Sequence, residues 1–419
     1  MNEPTEKALV PVLRFPEFRG AGEWEAATLG DKNVSVFVKE RLPLEKLNLD
    51  NYVSTENLLP EYAGVKAASK LPPTGSFTRF KKGDVLISNI RPYLKKVWSA
   101  NKEGASSNDV IVIRAQTKVS SHFLTCILKN DEFINYIMKG AKGVKMPRGD
   151  ISLMKDYPIA FPFISEQQKI ADCLSSLDQL INAQSQKIDL LKTHKKGLMQ
   201  QLFPLEGETV PRLRFPEFRG AGEWEEKTLG ELSQILRGGS PRPIDEYITT
   251  DIDGLNWLKI GDVDQGSKYV TFTKEKVLKT ALNKTREVSP GDLIMSNSMS
   301  FGRPYILKIK SCIHDGWIAI TKIDGRANRD YLYYLILSPT SQEYFLNNAA
   351  GSGVQNLNAD IIKLLPVPIP KYSEQQKIAD CLSSLDQLIS AHSQKLTTLK
   401  THKKALMQQL FPALAEVAR

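Results

Sequence analysis

The sequence lacks the residue groupings that mark disulfide frameworks, metal sites and membrane spans. Its four cysteines form no CxxC pair, so we expect reduced, buried thiols in a cytoplasmic protein, with neither a disulfide framework nor a zinc site. No apolar run approaches the ~20 residues that span a bilayer. The start has no basic region followed by an apolar stretch, so no signal peptide is expected.

Motifs for catalysis and cofactor binding are also missing. There is no GxxxxGK[ST] phosphate loop, and no GxGxxG follows a predicted strand. No Ser/His/Asp or Cys/His set has a usable spacing. The ExK triplet at residues 225–227 resembles part of a nuclease motif, but its copy at 25–27 has lost the lysine, so we attribute it to chance. We therefore expect no catalytic residue, metal site or cofactor site in this chain.

What the 419 residues do contain is an internal repeat, the feature that decides how the fold is interpreted. Residues 10–25 and 210–225 match at 15 of 16 positions. Residues 165–204 and 373–412 match at 34 of 40 positions. Each half of the chain is thus a variable segment held between near-identical flanks.

The variable segments, 26–164 and 226–372, share only fragments of sequence. Residues 84–88 and 109–113 are typical of short strands, while 122–138 and 330–345 have helical patterns. We predict two α+β globular domains. The predicted boundaries are 1–164 for the first domain with its leading constant segment, 165–204 for a first helix, 205–372 for the second domain, and 373–419 for a second helix and tail.

The constant segments 165–204 and 373–412 are predicted to be long helices. Ser165 and Ser373 are candidate N-caps, each followed three residues later by glutamine, which is the capping-box spacing. Apolar residues then recur every 3.5 residues, and Pro204 and Pro412 end the helices. This period predicts coiled-coil helices, each roughly 57 Å long. Because the repeat makes the chain pseudo-two-fold, the two helices are expected to pack antiparallel. Polar residues interrupt the apolar seam and are either solvated or fix its register: Gln184, Lys195, His392 and Lys403.

The chain has a net charge of +9, and most of the excess lies in the first variable segment. Residues 26–164 hold 21 basic and 13 acidic residues, against 18 and 16 in 226–372. A polyanion is therefore a reasonable partner. Arginine reads guanine and Asn or Gln reads adenine, although the same loops are also consistent with phosphate contacts or ordinary turn chemistry. The DNA-binding candidates are Arg79, Lys81, Lys82, Arg91, Lys95, Lys96, Lys142, Lys145, Arg148, Arg237, Ser240, Arg242, Asn297, Ser298, Arg303, Gln355, Asn356 and Asn358.

Over nearly its whole length the chain resembles the specificity subunit of type I restriction-modification enzymes. The motif that carries the resemblance is Pro158–Pro162 followed by Ser165-Glu166-Gln167-Gln168-Lys169-Ile170, repeated as Pro366–Pro370 and then residues 373–378. The first copy departs from the second in having Ala160 where the second has Pro368, which weakens its proline pattern.

The resemblance implies that the variable segments are target recognition domains and the helices conserved spacers. It implies a bipartite, asymmetric double-stranded DNA target with a fixed gap, and a bacterial or archaeal cytoplasm. It also implies two methyltransferase subunits that bring S-adenosylmethionine, and two motor-nuclease subunits that bring ATP hydrolysis and magnesium.

Two alternatives stay open at the level of sequence. One is a fused nuclease or methyltransferase whose catalytic motif is unrecognisable; it would need an NPP[YF]-type motif, which the sequence lacks. The other is a non-catalytic coiled-coil scaffold that binds only proteins. The scaffold predicts no salt-dependent affinity for DNA, and it leaves the divergence between the two variable segments unexplained.

Overall fold

The chain folds as two compact units whose boundary falls inside both long helices. The computed structural model describes residues 9–264, 266–297, 302–349 and 357–413. Unit 1 comprises residues 1–185 with 394–419, and unit 2 comprises 186–393. Each unit thus contains one variable segment, the first half of one long helix and the last half of the other.

Unit 1 is built from short strands, three short helices and the start of the first long helix. Its 3-10 turns are Pro16–Phe18, Leu44–Lys46 and Pro92–Leu94. Its strands are β1 Glu25–Thr28, β2 Ser35–Phe37, β3 Arg41–Pro43, β4 Tyr52–Val53, β5 Ser76–Phe80, β6 Val85–Ser88, β7 Val97–Ser99, β8 Gly104–Ser106, β9 Val110–Ala115 and β10 Pro158–Phe161. Its helices are α1 Ser121–Leu128, α2 Asp131–Lys139, α3 Ile151–Lys155 and the first part of α4 Ile164–Leu202.

Three sheets organise unit 1. An antiparallel sheet in the order β2-β9-β6-β7 supplies the core, and every residue of β6 is buried. A second four-stranded sheet, in the order β3-β5-β8-β4, contains one parallel pair, β4 with β8. The small pair of β1 with β10 joins the constant leading segment to the strand that precedes the long helix. The strands predicted at 84–88 and 109–113 are confirmed as β6 and β9.

Unit 2 repeats this plan with additional strands. Its 3-10 helices are Pro216–Phe218, Ile244–Glu246, Ile260–Asp262 and Lys279–Lys284. Its strands are β11 Glu225–Thr228, β12 Gln234–Arg237, β13 Ile248–Thr249, β14 Leu255–Leu258, β15 Tyr269–Val270, β16 Glu275–Val277, β17 Arg286–Val288, β18 Leu293–Ser296, β19 Pro304–Leu307, β20 Ser311–Ile313, β21 Trp317–Thr321 and β22 Pro366–Ile369. Its helices are α5 Leu229–Leu232, α6 Arg329–Ile336, α7 Pro339–Asn348, α8 Ala359–Lys363 and the first part of α9 Tyr372–Leu410.

The sheets of unit 2 are ordered β12-β21-β18-β19-β15 and β13-β16-β14-β20-β17, with β11 paired to β22 as β1 is to β10. The predicted α+β class is confirmed in both units. Each segment with a helical pattern is divided into two helices rather than one. Asn130 interrupts the first because its side chain caps α2, and Ser338 with Pro339 starts α7 in the second.

The predicted apolar seam of the long helices is buried at the helix ends and mostly half-buried between them. In unit 1, Ile170 and Leu174 of α4 lie in the same core as Met407 and Leu410 of α9. In unit 2, Ile378 and Leu382 of α9 share a core with Met199 and Leu202 of α4. The start of one helix therefore packs beside the end of the other, which is the antiparallel arrangement. Both helices end before the Phe-Pro pairs, as predicted.

The predicted capping boxes at the starts of these helices are wrong. The helices begin at Ile164 and Tyr372, so Ser165 and Ser373 lie inside the first turn. The backbone carbonyl of Phe163 already accepts hydrogen bonds from the amides of residues 166 and 167. Gln168 bonds to Asp172, four residues on, and does not turn back to the helix start.

The repeated Glu-Gln-Gln motif near the start of each long helix bonds to the leading segment and the variable segment of its unit. Glu166 accepts two hydrogen bonds from Arg14, at 2.7 and 2.6 Å, and both side chains are buried. Gln167 donates to the carbonyls of Lys118 and Pro162 and accepts from the amide of Ser120. Arg214 with Glu374 repeats the ion pair, and Gln375 repeats the amide contacts. The repeat therefore preserves the packing of the leading segment and variable segment onto the helix.

Candidate nucleic-acid interface

Two loops that are distant in the sequence of unit 1 meet beyond the carboxyl end of β6. The amide of Arg91 donates to the carbonyl of Pro147 at 2.8 Å, and that of Gly149 donates to the carbonyl of Asn89 at 3.1 Å. Lys142 and Arg148 exchange two backbone bonds of 2.9 Å, which closes the glycine-containing loop. The structure thus brings together Arg91, Lys142, Lys145 and Arg148 from two separately predicted segments.

The side chains of this loop pair leave positive charge at the surface. Arg148 bonds to Asp109 at 2.7 Å but keeps 59% of its side chain exposed. Lys142 lies 3.6 Å from Asp150 and is 85% exposed. Arg91 and Lys145 are exposed, and neither forms an ion pair with any residue that the structure describes. Exposed cations without an acidic partner are free to neutralise phosphates.

The other basic candidates of unit 1 have intramolecular partners or lie elsewhere. Arg79 pairs with Glu40 at 2.7 Å, and Lys95 pairs with Asp131 at 2.9 Å. Lys96 donates to the carbonyl of Thr55 at 2.5 Å, and burial lowers its pKa. Lys81 and Lys82 are exposed in the turn before β6, at the opposite end of that strand from Arg91.

In unit 2, four predicted residues converge on Asp315, which sequence reasoning missed. The Ser240 hydroxyl donates to Oδ1 of Asp315 at 2.7 Å, and Arg242 lies 3.6 Å from Oδ2. Arg237 and Asn297 donate to the backbone carbonyl of the same residue, at 3.3 and 3.0 Å. Asp315 had no signal in the sequence beyond its place in a short polar turn between β20 and β21.

Close backbone approach explains the glycines that precede Ser240. A Cβ on Gly238 would lie 2.1 Å from the carbonyl oxygen of His314, and one on Gly239 would lie 2.7 Å from that of Lys284. Any larger residue would push this loop away from the turn that carries Asp315. The two glycines that follow β12 therefore allow the close approach that brings Ser240 to Asp315.

The electrostatics of this cluster favour an ionised aspartate beside a neutral histidine. The Ser240 hydrogen bond, together with the charge of Arg237, holds the pKa of Asp315 below its ordinary value against the effect of partial burial. Burial lowers the pKa of His314 in spite of the neighbouring carboxylate. The amide nitrogens of Gly316 and Ile260 lie 2.7 Å from Nδ1 and 3.2 Å from Nε2 of His314, and two donors facing the ring disfavour its doubly protonated form.

A surface pocket of about 440 Å³ lies next to the Asp315 cluster. Trp257, which is 2% exposed, contributes to its wall, and Arg242 and Lys259 supply cations. Lys259 is itself paired with Glu275 at 2.6 Å. The lining residues are Ser240, Pro241, Arg242, Ile244, Trp257, Lys259 and His314.

The remaining candidates of unit 2 have structural contacts or are not described. The guanidinium of Arg303 lies 5.7 Å from the ring centre of Tyr305. The Asn358 side chain caps α8 by accepting from the amide of Ile361, although the residue is exposed. Ser298, Gln355 and Asn356 lie outside the described residues. All the DNA-contact assignments stay predictions.

Other kinds of site find no support among the described residues. No group of three or more His, Cys, Asp or Glu side chains is placed to hold a metal ion in the parts of the chain that the structure covers. Cys312 is a buried free thiol, while Cys126, Cys173 and Cys381 are half-buried, which is more exposed than predicted. Within the described helices, none combines the length and apolar character needed to cross a membrane.

Comparison with known proteins identifies the family. The model of the type I restriction modification DNA specificity domain matches twice, at residues 23–193 and 221–401. The chain belongs to this family. It is a type I specificity subunit with two recognition domains, and each family match combines one variable segment with most of the long helix that follows it.

Relatives and solved structures agree with the two-domain specificity subunit. The chain is 24% identical to the type I restriction enzyme MjaVIII specificity subunit of Methanocaldococcus jannaschii, covering 95% of this chain and 93% of that one. It is 27% identical to the putative MjaX specificity subunit of the same organism, over 78% and 77%. The type I restriction-modification S subunit from M. genitalium has a similar fold, with a TM-score of 0.59, 16% identity, and coverage of 96% and 99%.

Proposed function

We propose that each unit of this specificity subunit binds one half of a bipartite, asymmetric DNA target. The observation that carries the proposal is that the two units pack in the same way around their long helices but have different surface loops. Arg14–Glu166 and Arg214–Glu374 fix the same packing in both units. The surfaces built on that frame differ: exposed arginine and lysine in unit 1, and an aspartate ringed by donors in unit 2. Different surfaces on equivalent frames suit different half-sites.

We further propose that the long helices set the gap between the half-sites. A helix adds about 1.5 Å per residue, so helix length is a ruler for the distance between the two reading surfaces. The middle of the target would then go unread. The 39-residue lengths of α4 and α9 are equal, as a symmetrical spacer requires.

The repeated surface suits two copies of a methyltransferase subunit, and the family resemblance adds two motor-nuclease subunits. Arg19 and Glu23 are exposed in the leading segment, and Arg219 and Glu223 repeat them in unit 2. A pair of equivalent surfaces recruits two copies of one partner in equivalent ways. S-adenosylmethionine, ATP and magnesium would be bound by these partners, in the cytoplasm of the host.

The specificity subunit itself would be non-catalytic. Purified chain incubated with target DNA and S-adenosylmethionine, or with ATP and magnesium, is expected to show no methylation, cleavage or ATP hydrolysis. Addition of the methyltransferase partner should restore methylation. Base methylation by the chain alone would contradict this part of the proposal.

The half-site assignment is tested by exchanging residues 226–372 for the variable segment of another specificity subunit. The hybrid is assembled with its methyltransferase partner, and methylated sites are mapped by sequencing. One half of the target should change while the other half and the gap stay the same. The reciprocal exchange of 26–164 is the matched control and should change the other half. Simultaneous change of both halves in either hybrid would contradict separate reading.

A further inference from the structure

Asp315 and the neighbouring pocket together form a surface with one polar and one apolar part. Ser240 joins the two parts, because its hydroxyl donates to Asp315 Oδ1 and the residue also lines the pocket. Arg242 joins them again, since it lines the pocket and lies 3.6 Å from Oδ2. The carboxylate and the pocket are therefore direct neighbours.

The carboxylate keeps room for another donor. Oδ1 accepts from Ser240 at 2.7 Å, whereas Arg242 is 3.6 Å from Oδ2, beyond hydrogen-bonding distance. An ionised carboxylate has about four lone-pair positions. The side chain of Asp315 is also 41% exposed, so a donor arriving from outside can reach it.

The pocket beside it has the character of a site for a small apolar group. Pro241, Ile244 and Trp257 give it apolar walls, and the indole of Trp257 is held in place by burial. Lys259 and Arg242 bring positive charge to the same pocket, which favours approach of a phosphate backbone.

The edges of the base pairs in the major groove differ in how well they fit this combination. Guanine offers only acceptors to a protein there, so a carboxylate gains nothing from it. Cytosine and adenine each offer an amino group that a carboxylate can accept from. Only the A·T pair also carries a methyl group, on its thymine. An acceptor next to an apolar pocket therefore matches A·T better than C·G.

We propose that Asp315 and its pocket read one A·T base pair in the half-site bound by unit 2. The carboxylate accepts a hydrogen bond from the N6 amino group of adenine, and the thymine methyl group lies against Pro241, Ile244 and Trp257. Ser240 is a positioning residue that orients the carboxylate. This inference rests on the proposed function, since it requires that unit 2 contacts a DNA half-site.

The first test maps methylated sites after assembly of the full chain with its methyltransferase partner. Asp315→Ala should lose the preference for A·T at one position of the half-site that the 226–372 exchange changes, with the other positions unaltered. Asp315→Asn should keep that preference, because the amide oxygen still accepts from adenine. Asp324→Ala, which removes a carboxylate that pairs with Arg326 in the same unit, is the matched control and should leave the motif unchanged.

The second test uses the wild-type complex and therefore does not depend on the folding of a variant. Deoxyuridine lacks only the methyl group of thymidine. Placed at the Asp315-dependent position, it should weaken binding about fourfold, the effect expected for loss of one buried methyl group. Ile244→Ala should reduce the difference in affinity between DNA with thymine and DNA with uracil at this position, since it removes part of the apolar wall.

The outcomes separate this inference from the proposed function. If the 226–372 exchange changes neither half-site, half-site reading by unit 2 is wrong. If that exchange changes one half-site but Asp315→Ala lowers methylation uniformly with an unchanged motif, Asp315 is only structural and the inference is overturned. Equal binding of uracil and thymine at every thymine of that half-site would overturn it as well, as would dependence of a C·G position on Asp315.

Discussion

Lys403 donates a hydrogen bond to Asp178 at 2.6 Å, and the bond joins the end of α9 to the first half of α4 within unit 1. The internal repeat places the same contact, also 2.6 Å long, between Lys195 and Asp386 in unit 2. Both lysines occupy interruptions of the apolar seam, so these polar positions are cross-helix ion pairs. A polar contact inside a seam favours one register and one direction of pairing.

Breaking the ion pair of unit 1 should destabilise that unit modestly. The two side chains are 15% and 39% exposed, so the pair is partly screened by solvent. We expect Lys403→Met to lower the free energy of unfolding by about 1 kcal/mol, measured by chemical denaturation. Lys404→Met is the control, because Lys404 is 65% exposed and 3.8 Å from its nearest acid. A double-mutant cycle with Asp178→Asn that gave no coupling would contradict this role.

Removing Arg14 should be much more costly, because it leaves a buried carboxylate without its partner. The side chain of Glu166 is 1% exposed and accepts two hydrogen bonds from Arg14. We expect Arg14→Ala to lower the free energy of unfolding of unit 1 by about 3 kcal/mol. Arg19→Ala, at an exposed position of the same segment, should change stability by less than about 0.5 kcal/mol. Similar losses of unfolding free energy in the two variants would show that the Arg14–Glu166 ion pair does not stabilise unit 1.

Replacing Arg91 and Lys145 together should weaken DNA binding through loss of phosphate contacts. Affinity of the assembled complex is measured at several salt concentrations. If each cation neutralises one phosphate, the double alanine variant should reduce the magnitude of the logarithmic salt slope by about 1.8, or 0.9 per contact. Lys118→Ala is the control, since Lys118 is paired with Glu25 at 2.5 Å. An unaltered salt slope in the double variant would place the phosphate contacts elsewhere.

Acidification should destabilise unit 2 through His314. Burial holds the pKa of folded His314 below 6.5, its ordinary value, so the unfolded chain takes up the proton first. Stability is therefore complete above about pH 6.5 and is lost as the pH falls toward the folded pKa. The charged groups that act on the imidazole are Asp315, Lys259 and Asp262.

Thermal melting of unit 2 between about pH 7.5 and about pH 5.5 measures this effect. His314→Gln should flatten the dependence of the melting temperature on pH in this range, because it removes the titrating group. His194→Gln in α4 is the control and should leave the slope unchanged. An unchanged pH dependence of the melting temperature in His314→Gln would show that another group dominates.

Lengthening α4 should lengthen the unread gap of the target. Seven residues inserted near Gln184 keep the 3.5-residue period in phase and add roughly 10 Å, which corresponds to at most about three base pairs. The gain is expected to be smaller if α9 must slide past unmatched residues. Four inserted residues would act as a stutter and should weaken binding more while lengthening the gap less. If methylation mapping shows an unchanged gap at full activity, the length of the helices does not set the gap.

The apolar period and the turn signals predicted helices and strands because these signals are local in the sequence, and the internal repeat predicted that the two halves share one plan. The 3.5-residue spacing gave two helices that end before their prolines, and the turn signals located β6 and β9. The helix starts were missed because the carbonyl of Phe163, not the hydroxyl of Ser165, accepts from the first free amides. Sequence spacing alone does not show which group reaches an amide first.

The candidate surface was less predictable, because it depends on contacts between distant segments. Arg91 and Arg148 belong to one surface only because two loops are bonded through Pro147 and Asn89. Arg79 and Lys95 resemble free cations in the sequence, yet Arg79 pairs with Glu40 in the loop before β3 and Lys95 pairs with Asp131 of α2. Asp315 carries no motif, and its importance follows from the donors that converge on it.

The sharing of both long helices between the units has a consequence for synthesis on the ribosome. Unit 2 is one continuous stretch, 186–393, so all of its residues have been made before the last helix is complete. Unit 1 needs Met407 and Leu410 for its core, and these residues follow every residue of unit 2 in the chain. The amino-terminal unit is therefore the last to acquire its full core, and premature termination should damage the domain that was translated first.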